Sequence, residues 1–330
     1  MNDGAANAST RGTRKNQFLA DLTAGTAVDD IYYLRDLRLG KARTGKPYLA
    51  LKVSDRTGVM DARVWDGAEE ISQRLKPDSF VRLRGMVEDY RQRPQMVIAS
   101  AETAAAGKVD QRDFLPGSFR DGEELTGYLN YFLTEVFDPD FSRLLRSFFD
   151  DEDFMERFRR APGDTRSHHA YLGGLIEHTV SVATLCQHVT IQHPRLNSDL
   201  LITAALLHDI GKVDEFICEG RIRYSREGRL LGHVLLGQRL VEERIRSLND
   251  FPRDKELDLI HAMISHHGEL EWGAPKRPQS AEALVLHHID NLDAKVKGFL
   301  EVVDGSGEVS WPQLQNLFRR PLDEPQAADR

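Results

Sequence analysis

From about residue 28 to 101 apolar and polar positions alternate with a period near two. In "KPYLALKVSD", Leu49, Leu51 and Val53 fall on one side and Tyr48, Ala50 and Lys52 on the other. In "GVMDARVWD", Met60, Ala62 and Val64 share one face, and Asp61, Arg63 and Trp65 the opposite one. "SFVRLRGMVEDY" and "PQMVIASAE" keep the same rhythm. Such alternation predicts strands with one buried face. Turn signals separate them at residues 44–47, 55–58 and 91–94, and a helical insert is expected over 68–75. About five short strands in so few residues predict a small closed barrel.

Past a stretch rich in Gly, Pro and charge, the period becomes helical. Helices are expected over 123–137, 140–149, 151–160, 174–192, 199–209, 232–249, 254–267, 280–303 and 311–319, with stops such as Pro194 and Gly268. No internal repeat is found. The expected order is a polar, disordered N-terminus (1–16), the barrel (17–104), a linker (105–122), an all-helical domain (123–319) and a disordered tail (320–330).

The chain has 330 residues and a net charge of -8, which argues against nucleic-acid binding through bulk positive charge. The distribution changes that picture. Residues 31–100 hold fourteen Lys or Arg against nine Asp or Glu, a local +5. Cys186 and Cys218 are far apart and lack metal-ligand spacing, so they are expected to be reduced thiols. No stretch has the apolar length of a signal peptide core or a membrane helix, and a cytoplasmic location is expected.

All twelve histidines fall in the helical half. His178 lies in "GGLIEHTVSVATL", His208 and Asp209 in "AALLHDIGKVDEF", His233 in "LLGHVLLG", His266 and His267 in "HAMISHHGELEWG", and Asp290 in "LHHIDNLDAK". A lone histidine on an apolar face is usually a satisfied core residue. A series of imidazoles and carboxylates at successive helix ends fits that explanation poorly. Together they are what borderline divalent metals such as manganese, iron and zinc bind.

His178, the adjacent His208-Asp209 and the distant Asp290 resemble the signature of the HD superfamily of metal-dependent phosphohydrolases, with "HDIGK" as its central form. His233, followed by Gly237, and the pair His266-His267 resemble the variants that hold two metals. The strings "HHAYLGGLIEHT", "LLGHVLLGQ", "SHHGELEWGAP" and "DNLDAK" are similar to those of the YhaM-type 3′→5′ exoribonucleases, over roughly residues 20–310. The resemblance implies an N-terminal all-β OB-fold barrel followed by an all-α HD domain. It also implies an enzyme that shortens single-stranded RNA and releases nucleoside 5′-monophosphates.

On this resemblance, His178, His208 and Asp290 would hold one divalent cation, and His233, His266 and His267 a second. Asp209 would bridge them. Manganese is the first expectation, with iron, cobalt or zinc as alternatives. Lys212, one turn beyond Asp209, would offset charge building on the phosphate. Around this set, His168, His169, Glu269, Glu271, Trp272, His287, His288 and Asp293 could support ligands or touch substrate.

In the barrel, Tyr48, Lys52, Arg63, Trp65, Tyr90, Arg91 and Arg93 supply aromatic and cationic side chains. That mixture holds single-stranded nucleic acid by stacking and phosphate contact, with RNA expected and single-stranded DNA left open. Three other readings compete: a hydrolase of small nucleotides with a regulatory barrel, a non-catalytic RNA-binding protein, and a diiron oxygenase. The last has no need of an OB-fold.

Overall fold

The alternation of "KPYLALKVSD" and "GVMDARVWD" becomes β2 and β3 of a five-stranded barrel. The computed structural model of the chain describes residues 15–165 and 169–303. The chain divides into two compact units. Among the described residues, one holds Lys15–Pro116 and Glu219–Arg221; the other holds Gly117–Cys218 and Ile222–Val303.

The first unit contains β1 (Ala27–Lys41), β2 (Pro47–Asp55), β3 (Gly58–Val64), α1 (Ala68–Arg74), β4 (Ser79–Asp89) and β5 (Pro94–Ala104). The strands close in the order β1-β2-β3-β5-β4. Antiparallel pairing prevails except between β3 and β5, whose parallel pairing completes the ring. Leu49 pairs with Val64, Leu51 with Ala62 and Val53 with Met60, so the apolar sets of two strands coincide inside. Register shifts at 34/36 and 84/85 give the local bends a closed barrel requires. At the second, Gly85 lies where an added Cβ would strike the Val97 carbonyl.

Lys15 and Asn16, expected in a disordered N-terminus, are instead ordered on this unit. The Lys15 ammonium is buried, donates to the Ile31 carbonyl at 2.7 Å and sits 3.4 Å from the centre of the Tyr32 ring. Burial lowers its pKa to about 8, against the pull of Asp30 and Asp55. The expected linker also departs from a solvated chain. Phe114 and Leu115 are buried, and Gly117 forms a bridge with Leu172. Those apolar residues sit in a charged, Gly- and Pro-rich context that hid them. Residues 1–14, the expected helix at 311–319, the tail and His168 lie outside the described residues.

The second unit contains α2 (Gly122–Glu135), α3 (Pro139–Phe149), α4 (Glu152–Arg160), α5 (Gly174–Gln192), α6 (Ser198–Leu207), α7 (Lys212–Glu215), α8 (Arg226–Ser247), α9 (Arg253–Ser265) and α10 (Ala281–Val303). Asp121, Asp138, Asp151, Asn197 and Ser225 cap helix starts through their side chains, as their types predict. Helix α6 is buried at every position from Leu200 to Leu207, which marks it as the centre of the core.

Among the described residues, one hairpin lies between α7 and α8, β6 (Phe216–Glu219) with β7 (Arg221–Tyr224), which the sequence reading missed. Four-residue strands are too short for a period to register. Helix α8 also carries a first piece, from Arg226, ahead of the helix expected over 232–249. It is broken internally at Gly232, where φ is 72°.

Candidate metal centre and nucleic-acid interface

Most of the cluster residues stand at or near an element end, Asp290 being the exception. His178 is in the second turn of α5; His208 and Asp209 follow α6; His233 comes directly after the Gly232 break; His266 and His267 follow α9; Asp290 lies within α10. The glycine pattern explains how these elements converge. A Cβ on Gly211 would collide with the His233 carbonyl and the Gly237 amide, so the chain after Asp209 and helix α8 approach backbone to backbone.

The side chains form two groups. His178 Nε2 is 3.1 Å from Asp290 Oδ1 and 3.2 Å from His208 Nε2. His233 Nε2 is 3.2 Å from His267 Nε2, with His266 beside them. In both groups, one ligand-type atom from each residue lies within 4.8 Å of the others. Asp209 stands between them. Its Oδ2 is 3.5 Å from His178 Nε2 and 3.4 Å from His208 Nε2, while its Oδ1 is 3.4 Å from His233 Nε2 and 3.6 Å from His266 Nε2.

The outer nitrogens are held in a regular way. His208 and His266 point Nδ1 at the carbonyls three residues back, Ala205 at 2.8 Å and Met263 at 2.6 Å. His178 Nδ1 meets Asp293 Oδ2 at 2.7 Å, and His233 Nδ1 meets Glu215 Oε2 at 3.1 Å. These contacts leave Nε2 of each ring facing inward, the arrangement that fixes tautomer and orientation in histidine–metal sites. Sequence reading named Asp293 but missed Glu215. The break at Gly232 frees the His233 amide to donate to Glu215 Oε1 at 3.0 Å, so one carboxylate holds both ends of His233. A glutamate shortly after "HDIGK" carries no spacing signal of its own.

Electrostatics match the chemistry of a cation site. Asp209 Oδ1, His266 Nε2 and His267 Nδ1 are buried without a hydrogen-bond partner, the kind of orphaned polar atoms that call for a ligand. Burial lowers the basicity of His266 and His267, and neighbouring imidazoles add to it, so both rings are kept neutral. Burial opposes charge on His178 as well, but hydrogen bonds to Asp290 and Asp293 outweigh it and raise its pKa to about 10. Asp209, despite complete burial, is held well below the usual carboxylate range by Lys212 and His208. Neutral imidazoles and ionised carboxylates are the states in which these groups ligate, so His178, charged between its two aspartates, would give up its proton to a bound cation. The donor set therefore fits divalent cations.

The remaining expected residues divide. Lys212 is buried with Nζ 2.6 Å from Asp209 Oδ2. His169 is buried against Asp293 at 3.2 Å and Tyr171 at 2.9 Å, behind His178, and Ser181 also donates to Asp293. His287 donates from Nδ1 to the His266 carbonyl at 2.8 Å. His288 is exposed, and Glu269 is paired with Arg277 at 2.9 Å, so neither joins the cluster. Glu271 and Trp272 lie on the loop after His267.

On the barrel, Tyr48 and Trp65 are in ring contact at 5.4 Å, and Arg63 lies 5.9 Å over Tyr48. Lys52 is exposed two pairs further along β2, opposite Asp61. Tyr90, Arg91 and Arg93 form the β4–β5 hairpin tip, with Tyr90 exposed and Arg91 5.3 Å over its ring. Asp61 pairs with Gln95, so this tip lies at the opposite end of β3 from Trp65. The seven residues thus form two groups, one on strands β2–β3 and one on the β4–β5 loop. Both positions are used by OB-folds to hold oligonucleotides.

Residues 175–295 match the HD domain family, and residues 33–104 match the family described as OB-fold nucleic acid binding domain. Over 273 residues the chain is 33% identical to the 3′-5′ exoribonuclease YhaM of Geobacillus sp. (strain WCH70), covering 82% of this chain and 83% of that protein. Among solved structures it is similar to the second OB-fold domain of replication protein A from Methanococcus maripaludis (11% identity, 26% of this chain, 92% of that chain, TM-score 0.23). It is also similar to the SSB domain of a Synechococcus sp. protein (13% identity, 24% and 94% of the two chains, TM-score 0.21). The class is an OB-fold nucleic-acid-binding module joined to an HD domain, with the divalent-metal dependence that an HD domain implies. Within that class, the chain belongs to the YhaM family.

Proposed function

We propose that the protein is a 3′→5′ exoribonuclease that hydrolyses single-stranded RNA to nucleoside 5′-monophosphates, using two divalent cations. One observation carries the two-cation reading. The carboxylate of Asp209 turns one oxygen to the His178–His208–Asp290 group and the other to the His233–His266–His267 group. His178, His208 and Asp290 would hold one ion and His233, His266 and His267 the other, with Asp209 placed to serve both. When bound, such a pair supplies Lewis acidity toward the phosphate and activates water for in-line attack. Manganese suits the mixed imidazole–carboxylate set.

The chain's own residues do the rest. Asp293 and Glu215 keep the histidine rings aimed. Lys212 brings a fixed positive charge to the side of Asp209, where it offsets charge developing on the phosphoryl oxygens. Tyr48, Lys52, Arg63 and Trp65, with the β4–β5 tip, supply stacking and phosphate contacts for the strand. We assign the protein to the cytoplasm, a reading supported by its two free cysteines.

The test is a time course on RNA labelled at its 5′ end and, in parallel, on uniformly labelled RNA, with Mn²⁺ and with chelator. Stepwise shortening from the 3′ end, mononucleotide products and loss of activity on chelation are expected. Hydrolysis of free nucleotides with RNA left intact would overturn the reading in favour of a small-nucleotide hydrolase.

A further inference from the structure

The loop that follows His267 presents an indole to solvent beside the candidate metal centre. Trp272 is 47% exposed, and Leu270 on the same loop is 55% exposed. A tryptophan that contributed only to packing would bury most of its large apolar surface. This one is held in place instead. The loop closes through Trp272 N to Glu269 O at 3.0 Å, Gly273 N to Leu270 O at 3.0 Å and Ala274 N to Glu269 O at 3.2 Å, and Arg277 secures Glu269.

Two glycines bind the loop to the histidine group. Gly268, at φ +77°, has no side chain where the His287 ring lies, and His287 in turn holds the His266 carbonyl. Gly273, at φ +91°, faces His267 Nδ1, which would lie 3.8 Å from an added Cβ. The indole and the His233–His266–His267 group therefore share one rim. The indole centre is 6.1 Å from the His287 ring, and Lys295 Nζ is 5.6 Å from the indole. His287, Asn291 and Lys295 are spaced four residues apart, so they form one row of α10, next to the row that bears Asp290. The ring lies along that row, fixed by a cation–π contact and an aromatic neighbour, with about half its surface facing water.

We propose that Trp272 is the stacking platform for the base of the 3′-terminal nucleotide, with Lys295 as the cation that holds the indole and draws the phosphate side of that nucleotide. The identity of the ligand rests on the exoribonuclease reading. Stacking on a single face reads no hydrogen-bond pattern, so the platform accepts all four bases and favours the larger purine faces. It would hold the strand end while leaving base identity unread, as an enzyme that trims any sequence requires.

The experiment uses the full chain with Mn²⁺, in a variant carrying Trp65→Phe and Trp311→Phe so that Trp272 is the sole emitter. Nucleoside 5′-monophosphates should quench its fluorescence saturably, AMP and GMP at lower concentration than CMP and UMP. In the otherwise unaltered enzyme, Trp272→Ala should raise KM for a short RNA about tenfold with a smaller change in kcat, and Trp272→Phe should recover most of the loss. RNA hydrolysis with no quenching by nucleotides and the KM of Trp272→Ala unchanged would overturn the platform alone. Quenching by nucleotides in a protein inert on RNA would retain the platform and overturn the exoribonuclease reading.

Discussion

At the scale of single residues, Asp209 joins two interactions that pull in different directions. It faces both histidine groups, and it is the counter-charge of buried Lys212. Replacing it with Asn should therefore have two separable effects. Hydrolysis should fall by about 10⁴-fold, as when a member of a concerted catalytic set is lost. Stability should fall by about 3 kcal/mol, because an ammonium is left buried without its partner. Adding Lys212→Met should restore much of the stability and none of the activity. Recovery of hydrolysis in the double variant would show that Asp209 serves only to neutralise Lys212.

The carboxylates behind the histidines allow a sharper test of two-site chemistry. Asp293→Asn should weaken metal binding at the His178 group by about 10- to 100-fold, and Glu215→Gln should do the same at the His233 group. Metal analysis of each variant at limiting metal should show one ion lost and one retained. Loss of both ions together in either variant would argue for a single cooperative site. The two carboxylates also differ in how visible they were. Asp293 follows Asp290 by three residues, a spacing that puts it one turn along the same helix and makes it readable from sequence. Glu215 reaches His233 only because Gly232 interrupts α8, and that approach is tertiary. The ligand-type residues were legible through their chemistry. The supports depend on how the backbone bends.

At the scale of elements, the barrel strands were legible because each buries one face, and alternation encodes that burial directly. The hairpin β6–β7 and the first piece of α8, before Gly232, were not. Gly228 and Gly232 look like helix breakers in sequence, yet Gly228 packs against Glu215 and only Gly232 interrupts the helix. Close glycine packing also sets the spacing between α7 and α8. Gly211→Ala should be strongly destabilising, since its Cβ would meet backbone atoms of both His233 and Gly237 that cannot rotate away. Gly237→Ala should be milder, its nearest contact being Gly211 N at 3.2 Å. Thermal melts should rank them in that order, with Gly211→Ala lowering Tm by roughly 4–8 °C. The reverse ranking would mean that the helix pair adjusts freely, and that the site geometry does not depend on this contact.

At the scale of the whole molecule, the two units should separate in kinetics as they do in their cores. The principal helical core runs from Leu125 to Leu286 and includes no residue of the barrel. Every candidate ligand lies in that unit as well. A truncated chain beginning at Gly117 should therefore fold as a helical protein, bind metal and hydrolyse short oligonucleotides. What it should lose is the barrel's net +5 over residues 31–100 and its aromatic–cationic surface. Contacts between cations and phosphates release counterions on binding, so affinity for long RNA in the full chain should fall steeply as salt rises. The truncated protein should show a flatter salt dependence and a higher KM for long RNA. Its kcat should change less, because the lost interactions are made equally in the bound ground state and the transition state. The measurement is kcat and KM on long and short RNA for both proteins across a series of salt concentrations, with circular dichroism to establish that the truncated chain is folded. Matching salt slopes and matching KM on long RNA would show that the barrel does not deliver substrate. A regulatory barrel on a small-nucleotide hydrolase would then account better for the two-part chain.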